Sequence, residues 1–386
     1  MLRPYTPEDA PGLARQMSLA FGGSTDVALG WFEASGADNL RVWDDGGLVG
    51  GLVDIPMGQF FGGRAVRMHG VAGVVMDPAA RGRGAGRAMM QAYLRELADK
   101  GVALSCLYAS TRSLYRSVGY GVAGTIFDAS LPTDKLRGQG VVSPHWQAIE
   151  PDDRPEIEAA YRAWSAPRSG RPVRERYLWD RIWARRETQT YAFAHRGPEG
   201  LDGWVVVRLH STDGSFLMLQ VVDYEARSAS ALRAVIGFIG GFSTMARTVE
   251  LKCGPSDPIL DFLPEFSASL TLYEPWMLRI IDVEAAMQER GWPSGVQAAL
   301  DLDIVDPTLP SAAGRWRVQI DDGAGTATRG GNGTIGITIT GLAALYSGYA
   351  SPWELRLTGD VQGPAESMSV LAAAFSGPAP CMSDKF

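Results

Sequence analysis

The sequence predicts an α/β (α+β) protein in three consecutive domains, and three observations carry the prediction. An apolar run at residues 71–76 leads through a glycine-rich turn into a helix with its apolar residues on one face, the strand, turn and helix of a mixed sheet. The pattern Pro7-Glu8-Asp9-Ala10-Pro11 followed by Leu13 returns as Pro151-Asp152-Asp153-Arg154-Pro155 followed by Ile157. A period that long exceeds a solenoid unit and reads as a duplicated domain. After residue 291 the chain changes to short alternating runs divided by glycine-rich turns, which predicts a third, α+β domain.

In chain order, residues 2–22 read as a short strand, a turn and a helix. The strand at 71–76 is closed by the breaker pair Asp77 and Pro78. Met90, Tyr93, Leu94 and Leu97 repeat at spacings of three and four and mark the buried stripe of the next helix. Residues 103–109 form another strand, and 110–118 a short helix capped by Gly119. Loop-like residues at 131–144 set the first boundary, giving domains at 1–140, 141–277 and 278–386.

The second copy continues with strands at 191–194, 203–208 and 216–223 and a helix at 231–242. Where the first copy has its glycine loop, the second has Tyr224-Glu225-Ala226-Arg227-Ser228-Ala229. That stretch offers no backbone cradle, so scaffolding is its expected role. Residues 276–291 read as a strand and a helix closed by Gly291. The runs LDLDIVD, GRWRVQI, GTIGITIT and WELRLTG are expected as strands, with helices at 341–346 and 365–375.

Composition narrows the class. The 386 residues are 46% hydrophobic and 20% charged, as in an ordinary globular protein. No apolar run approaches the ~20 residues of a membrane span, and MLRPYTPED lacks the basic-then-apolar layout of a leader, so a cytoplasmic location is expected, with no membrane partner. Cys106, Cys253 and Cys381 are too scattered for a disulfide framework, and His69, His145, His195 and His210 show no ligand spacing; no metal is expected. A net charge of -7 argues against a nucleic-acid partner and favours a small cationic one.

The basic loop Arg81-Gly82-Arg83-Gly84-Ala85-Gly86-Arg87 is the local exception. Its glycines let a ligand approach the backbone, and its N–H groups converge on a helix start that carries roughly half a positive charge. A pyrophosphate is the expected guest. The spacing fits neither G-x-G-x-x-G nor the P-loop. It fits R-x-x-G-x-G, at Arg81, Gly84 and Gly86.

On these residues the chain resembles the GNAT superfamily of N-acetyltransferases, whose acyl-CoA loop carries that motif. The resemblance implies acetyl-CoA as cosubstrate, its pyrophosphate held by Arg81, Gly82, Arg83, Gly84, Ala85 and Gly86. It implies that the preceding strand splays from its neighbour, so that Val74, Val75 and Met76 lie along the thioester with a backbone N–H facing the developing oxyanion. Ser110 and Leu114 would flank the pantetheine.

The order of domains narrows the resemblance further. YEPWMLRIIDVEAAMQERGWP and GLAALYSGYAS are similar to the third domain of the Eis (enhanced intracellular survival) acetyltransferases. The implied fold is tandem GNAT-like domains, the second degenerate, followed by a sterol-carrier-protein-like α+β domain. Tyr115, Gly119 and Tyr120 fit the family's Tyr-x-x-x-Gly-aromatic segment, which makes Tyr115 the general acid; a phenol, ordinarily titrating near ~10, keeps its proton at neutral pH. Read alone, such a tyrosine packs in the core, the role expected of Tyr120.

A final phenylalanine, read alone, is a frayed end; the resemblance instead brings the Phe386 α-carboxylate into the first domain's site as general base. Some members carry an acidic residue before it, where this chain has Lys385, which would repel a polycation. Phe21, Asp26, Trp31, Phe32 and Glu33 mix aromatic faces with carboxylates, chemistry that suits an amine. Of these, Phe21, Asp26 and Trp31 match pocket positions of the family, as does Tyr108. An amphipathic helix with a solvated acidic face is the other reading.

The expected activity is therefore direct acetyl transfer from acetyl-CoA to aminoglycosides or similar cationic amines, a route to antibiotic resistance, in a homo-oligomer that the resemblance makes a hexamer. The alternative from another class is a lipid carrier with a vestigial acetyltransferase domain. RNA binding through residues 81–87 is opposed by the overall acidity and the absence of interleaved aromatics.

Overall fold

The two echoed proline turns fold alike. Thr6 N–H donates to the Asp9 carboxylate at 2.8 Å, and Glu150 N–H to that of Asp153 at 2.9 Å. Each turn thereby satisfies a donor at the start of a helix. The computed structural model describes residues 1–183, 189–212 and 216–386.

The first unit runs β1 (Leu2–Pro4), α1 (Ala10–Phe21), α2 (Thr25–Ser35), β2 (Leu40–Asp44), β3 (Leu48–Phe61), β4 (Arg64–Met76), α3 (Ala85–Asp99), β5 (Leu104–Tyr108), α4 (Arg112–Arg116), β6 (Gly121–Pro132) and α5 (Thr133–Leu136). The second runs β7 (Trp146–Ala148), α6 (Arg154–Ser165), β8 (Pro172–Val173), α7 (Arg176–Trp183), β9 (Thr190–Gly197), β10 (Gly200–Ser211), β11 (Leu217–Ala226), α8 (Ala229–Gly240), β12 (Ala246–Cys253) and β13 (Ser269–Ile280). The third runs α9 (Val283–Glu289), β14 (Ala298–Val305), β15 (Gly314–Asp321), β16 (Ala324–Arg329), β17 (Ile335–Thr338), α10 (Ile339–Ser347), α11 (Pro352–Thr358), β18 (Val361–Gln362) and α12 (Ala365–Ala374).

Each of the first two units is built on an antiparallel hairpin, β3/β4 or β10/β11, followed by a crossover helix and a parallel strand, β5 on β4 or β12 on β11. The units share one sheet, in the order β1, β2, β3, β4, β5, β13, β6, β12, β11, β10, β9, β7, with β8 on β3. The divisions expected at 140 and 277 therefore cut a continuous sheet. β13 inserts between β5 and β6, a long-range pairing that local alternation does not reveal.

The stripe on α3 goes where its periodicity directs it: Met90, Tyr93, Leu94 and Leu97 are fully buried, each contributing about 1.5–3 kcal/mol. One apolar core runs from these residues through Trp276 and Leu278 of β13 to Leu342 of α10. The second unit keeps two smaller clusters. The third domain's sheet is β16, β15, β14, β17, β18. WELRLTG, expected as a strand, is instead α11: Ser351 Oγ accepts from Glu354 N–H, the Glu354 carboxylate accepts from Ser351 N–H, Pro352 opens the helix, and Gly359 closes it at φ 78°. The capping box and terminal glycine outweigh a short alternating run. No helix among the described residues is long and apolar enough to cross a membrane.

Candidate active site

The site begins with an irregularity in β4. Val53 pairs with Ala72 and Gly51 with Val75, so β4 carries one more residue than β3 across this interval, a bulge. Gly73 lies in it at φ 54°, where a side chain is strained. A Cβ there would also come within 2.6 Å of Trp31 Cη2. The parallel pairing of β4 with β5 ends at Val71 and Leu107. Beyond that point Val74, Val75 and Met76 continue along β4 with no register to β5, so the strands part and leave one edge of β4 open. The Val75 side chain is buried, while those of Val74 and Met76 are half-buried.

The glycine loop follows. Gly82 and Gly84 take φ values of 77° and 81°, and a Cβ at either would meet no atom within 4 Å. These glycines serve backbone conformation, not internal packing. Gly84 is the N-cap of the 15-residue α3 and supplies no side-chain cap. The N–H groups at Ala85, Gly86 and Arg87 thus head the helix as donors, with Arg81, Arg83 and Arg87 exposed around them. Beneath, Asp54 accepts from the Tyr93 hydroxyl at 2.7 Å and pairs with His69 Nδ1 at 2.7 Å, tying α3 to β3 and β4.

Across the gap, α4 holds Tyr115 at 4% exposure. Burial pushes its phenol up to about 12. Its ring meets Tyr120 edge-on at 6.0 Å, and Tyr120 is a core residue, fully buried and hydrogen-bonded to Ser105 Oγ at 2.8 Å. Gly119 ends the segment at φ 93°, where a Cβ would lie 2.9 Å from the Arg279 guanidinium. That guanidinium is itself buried against Asp306 of the third domain at 2.6 Å.

Phe21, Trp31, Val74, Tyr108, Ser110, Tyr115 and Phe386 line one cavity of about 410 Å³, together with Met17, Ser18, Val27, Glu274 and Lys385. Leu114 lies near the glycine loop, 3.9 Å from where a Cβ on Gly86 would sit. Asp26 and Glu33 are exposed and stand outside the lining. Trp31 is held from the second unit, its Nε1 donating to the Tyr177 hydroxyl at 2.8 Å.

The last residues are strapped across both units. Cys381 N–H donates to Ser169 O at 3.0 Å, and the Tyr108 hydroxyl donates to Met382 O. Arg174, with its side chain 1% exposed, donates to Asp384 at 2.8 Å and to both oxygens of Asp223 at 3.0 and 2.7 Å. Its guanidinium also lies 4.0 Å from the Tyr161 ring centroid. The strap ends with the Phe386 ring against Gly70, where a Cβ would come within 2.7 Å of it, and 6.0 Å from the Tyr108 ring. In the second unit β11 passes into α8 with Ser228 capping Ala231 N–H at 3.2 Å, which closes the helix start that the first unit leaves open.

Family models match along the chain in the same order: an acetyltransferase (GNAT) domain at residues 1–123, another at 170–280 and a sterol carrier protein domain at 283–383. The structure of a GCN5-related N-acetyltransferase from Anabaena variabilis is similar with a TM-score of 0.93 and 28% identity, covering 100% of both chains. That of a GCN5-related N-acetyltransferase from Kribbella flavida has a TM-score of 0.87 at 30% identity, covering 100% of this chain and 98% of the other. The chain belongs to the GCN5-related N-acetyltransferase (GNAT) family.

Within the GNAT family it is similar to the Eis acetyltransferases. It is 28% identical over 276 residues to N-acetyltransferase Eis of Mycobacterium tuberculosis, a match spanning 67% of this chain and 65% of that protein. What sequence reasoning missed in this GNAT protein are the long-range partners. Tyr177 and Arg174 reach the site from a segment that no motif marks, and Glu274 lies in YEPWMLRIIDVEAAMQERGWP, whose resemblance pointed to the third domain and not to the cavity.

Proposed function

We propose that this protein transfers an acetyl group from acetyl-CoA directly to the amine of a small cationic acceptor, aminoglycosides being the first class to try, and that it works in the cytoplasm as a homo-oligomer, a hexamer by family resemblance. The observation that carries the reading is that Val74 of the open β4 edge and Tyr115 line one cavity, while β4 runs on into the uncapped glycine loop, where Leu114 lies 3.9 Å from a Cβ built on Gly86. These groups fit an acyl-CoA: donors and cations for a diphosphate, an unpaired strand edge for amide groups, and a phenol where the thioester would end.

Acetyl-CoA supplies an activated carbonyl with a thiolate leaving group. In this reading the N–H groups and side chains of residues 81–86 hold the diphosphate, while Ser110 and Leu114 flank the arm beside Val74, Val75 and Met76. A backbone N–H of the open β4 edge faces the charge that develops on the carbonyl oxygen. Tyr115 carries the proton given to the departing sulfur, and the Phe386 α-carboxylate takes the proton lost by the attacking amine. Phe21, Trp31 and Tyr108 line the acceptor's side.

The test combines an acetyl-CoA titration with product mass after incubation with a panel of amines that includes aminoglycosides. Saturable acetyl-CoA binding and one or more added acetyl groups are expected. A thermal shift with a fatty acid and none with acetyl-CoA would instead favour the lipid carrier.

A further inference from the structure

We propose that the acceptor is a singly charged amine with an apolar body of aromatic size, and that the Lys385–Glu274 pair at the cavity turns polycations away. The inference rests on the acetyltransferase reading and sets monoamines ahead of the aminoglycosides named first there.

Charge is the first argument. Among the described residues lining the cavity, Glu274 and Lys385 are the only charged side chains. They pair at 3.0 Å, and Lys385 Nζ also donates to the Tyr273 hydroxyl at 3.0 Å. The side-chain carboxylate that could receive a substrate ammonium is therefore already answered from within the chain. Lys385 is 45% exposed beside it, so a second substrate ammonium would meet a like charge. The Phe386 carboxylate, proposed above as base, leaves one counter-charge for one ammonium.

The carboxylates expected to gather cations do not face the cavity. On α2, Val27 and Trp31 lie one helical turn apart and line it, and a helix turns about 100° per residue. Asp26 and Glu33 accordingly project elsewhere and are exposed. A polycation entering this cavity would find no carboxylate of α2 for its further ammonium groups, and only hydroxyls such as those of Ser18, Ser24 and Ser110 to accept from them.

The wall supplies the rest. Met17, Phe21, Val27 and Trp31 form an apolar surface, and Phe21 and Val27 line the cavity while remaining 59% and 62% exposed. Uncovered apolar surface at a cavity mouth is what an apolar acceptor body would cover. The cavity, about 410 Å³ and open at Phe21 and Val27, has room for one ring and a short arm beside the acetyl end of the cosubstrate.

The experiment measures kcat/KM with acetyl-CoA for 2-phenylethylamine and for kanamycin, in wild type and Lys385→Met, alongside an acetyl-CoA titration. Wild type is expected to favour 2-phenylethylamine, and Lys385→Met to shift the ratio toward kanamycin by about tenfold, the size of one partly screened rim charge. Raising the salt concentration should narrow the difference in kanamycin kcat/KM between wild type and Lys385→Met, because it screens the one charge by which they differ. Acetyl-CoA binding with preferred turnover of kanamycin overturns this inference while the acetyltransferase reading stands. Absence of acetyl-CoA binding overturns both.

Discussion

Tyr115 draws its chemistry from where it sits. Burial holds the phenol up at about 12, so the residue stays a proton donor throughout the physiological range. Two outcomes follow. The kcat profile should stay level up to pH ~10, the ordinary phenol value, and a fall centred below that value would contradict the assignment. Because the folded pKa is raised, the proton's contribution to stability is complete below the unfolded value and is lost as pH climbs toward the folded one; alkaline unfolding monitored by circular dichroism should steepen in that window and be less steep in Tyr115→Phe.

At this scale much of the cavity was legible. Phe21, Trp31, Tyr108, Tyr115 and Phe386 were each singled out by the family resemblance, and all line it. Asp26 shows the limit: a carboxylate one residue from a lining position has the right chemistry and the wrong azimuth. Composition cannot tell the two apart, whereas the helical wheel drawn from Val27 and Trp31 can.

At the scale of elements, the β4 bulge and the glycine loop divide the work. The bulge brings Val71 to Val74 of one strand to the cavity, and the loop leaves a helix start uncapped. Gly84→Ala would force a side chain into a left-handed backbone at a cost of about 1–2 kcal/mol. The loop should then rearrange and weaken acetyl-CoA binding by about tenfold in calorimetry, while Gly101→Ala, also at positive φ but away from the loop, should lower stability without changing affinity. The motif announced the loop, because its glycines are needed wherever backbone must approach a ligand. The bulge was less legible, since one inserted residue alters pairing and not composition. WELRLTG shows the opposite error: alternation suggested a strand, and the caps at Ser351 and Gly359 decided for a helix.

At the scale of the whole molecule, the second unit has lost its cradle and kept a part in the site. Its Asp223 and Arg174 hold the strap that carries Phe386, and its Tyr177 orients Trp31. A buried ion pair contributes position more than net stability. Arg174→Met leaves Asp223 and Asp384 buried without their shared ion-pair partner, Asp223 keeping only the Trp204 Nε1 hydrogen bond at 2.9 Å, and should cost about 3–5 kcal/mol in denaturant unfolding. Asp384→Asn is the milder probe: acetyl-CoA affinity should be kept while kcat falls, because the strap is loosened far from the glycine loop. Equal losses in affinity and turnover would mean that the strap supports the fold as a whole. None of these contacts was readable along the chain, because they join segments 49, 146 and 210 residues apart.

The central claim is that Tyr115 delivers the proton in an acetyl transfer prepared by the glycine loop. It is tested most directly by single-turnover product formation in wild type and Tyr115→Phe, each first shown to bind acetyl-CoA by titration. Unchanged acetyl-CoA affinity and a rate reduced by about 10²-fold or more are expected in the variant. Equal rates in the two proteins would contradict it.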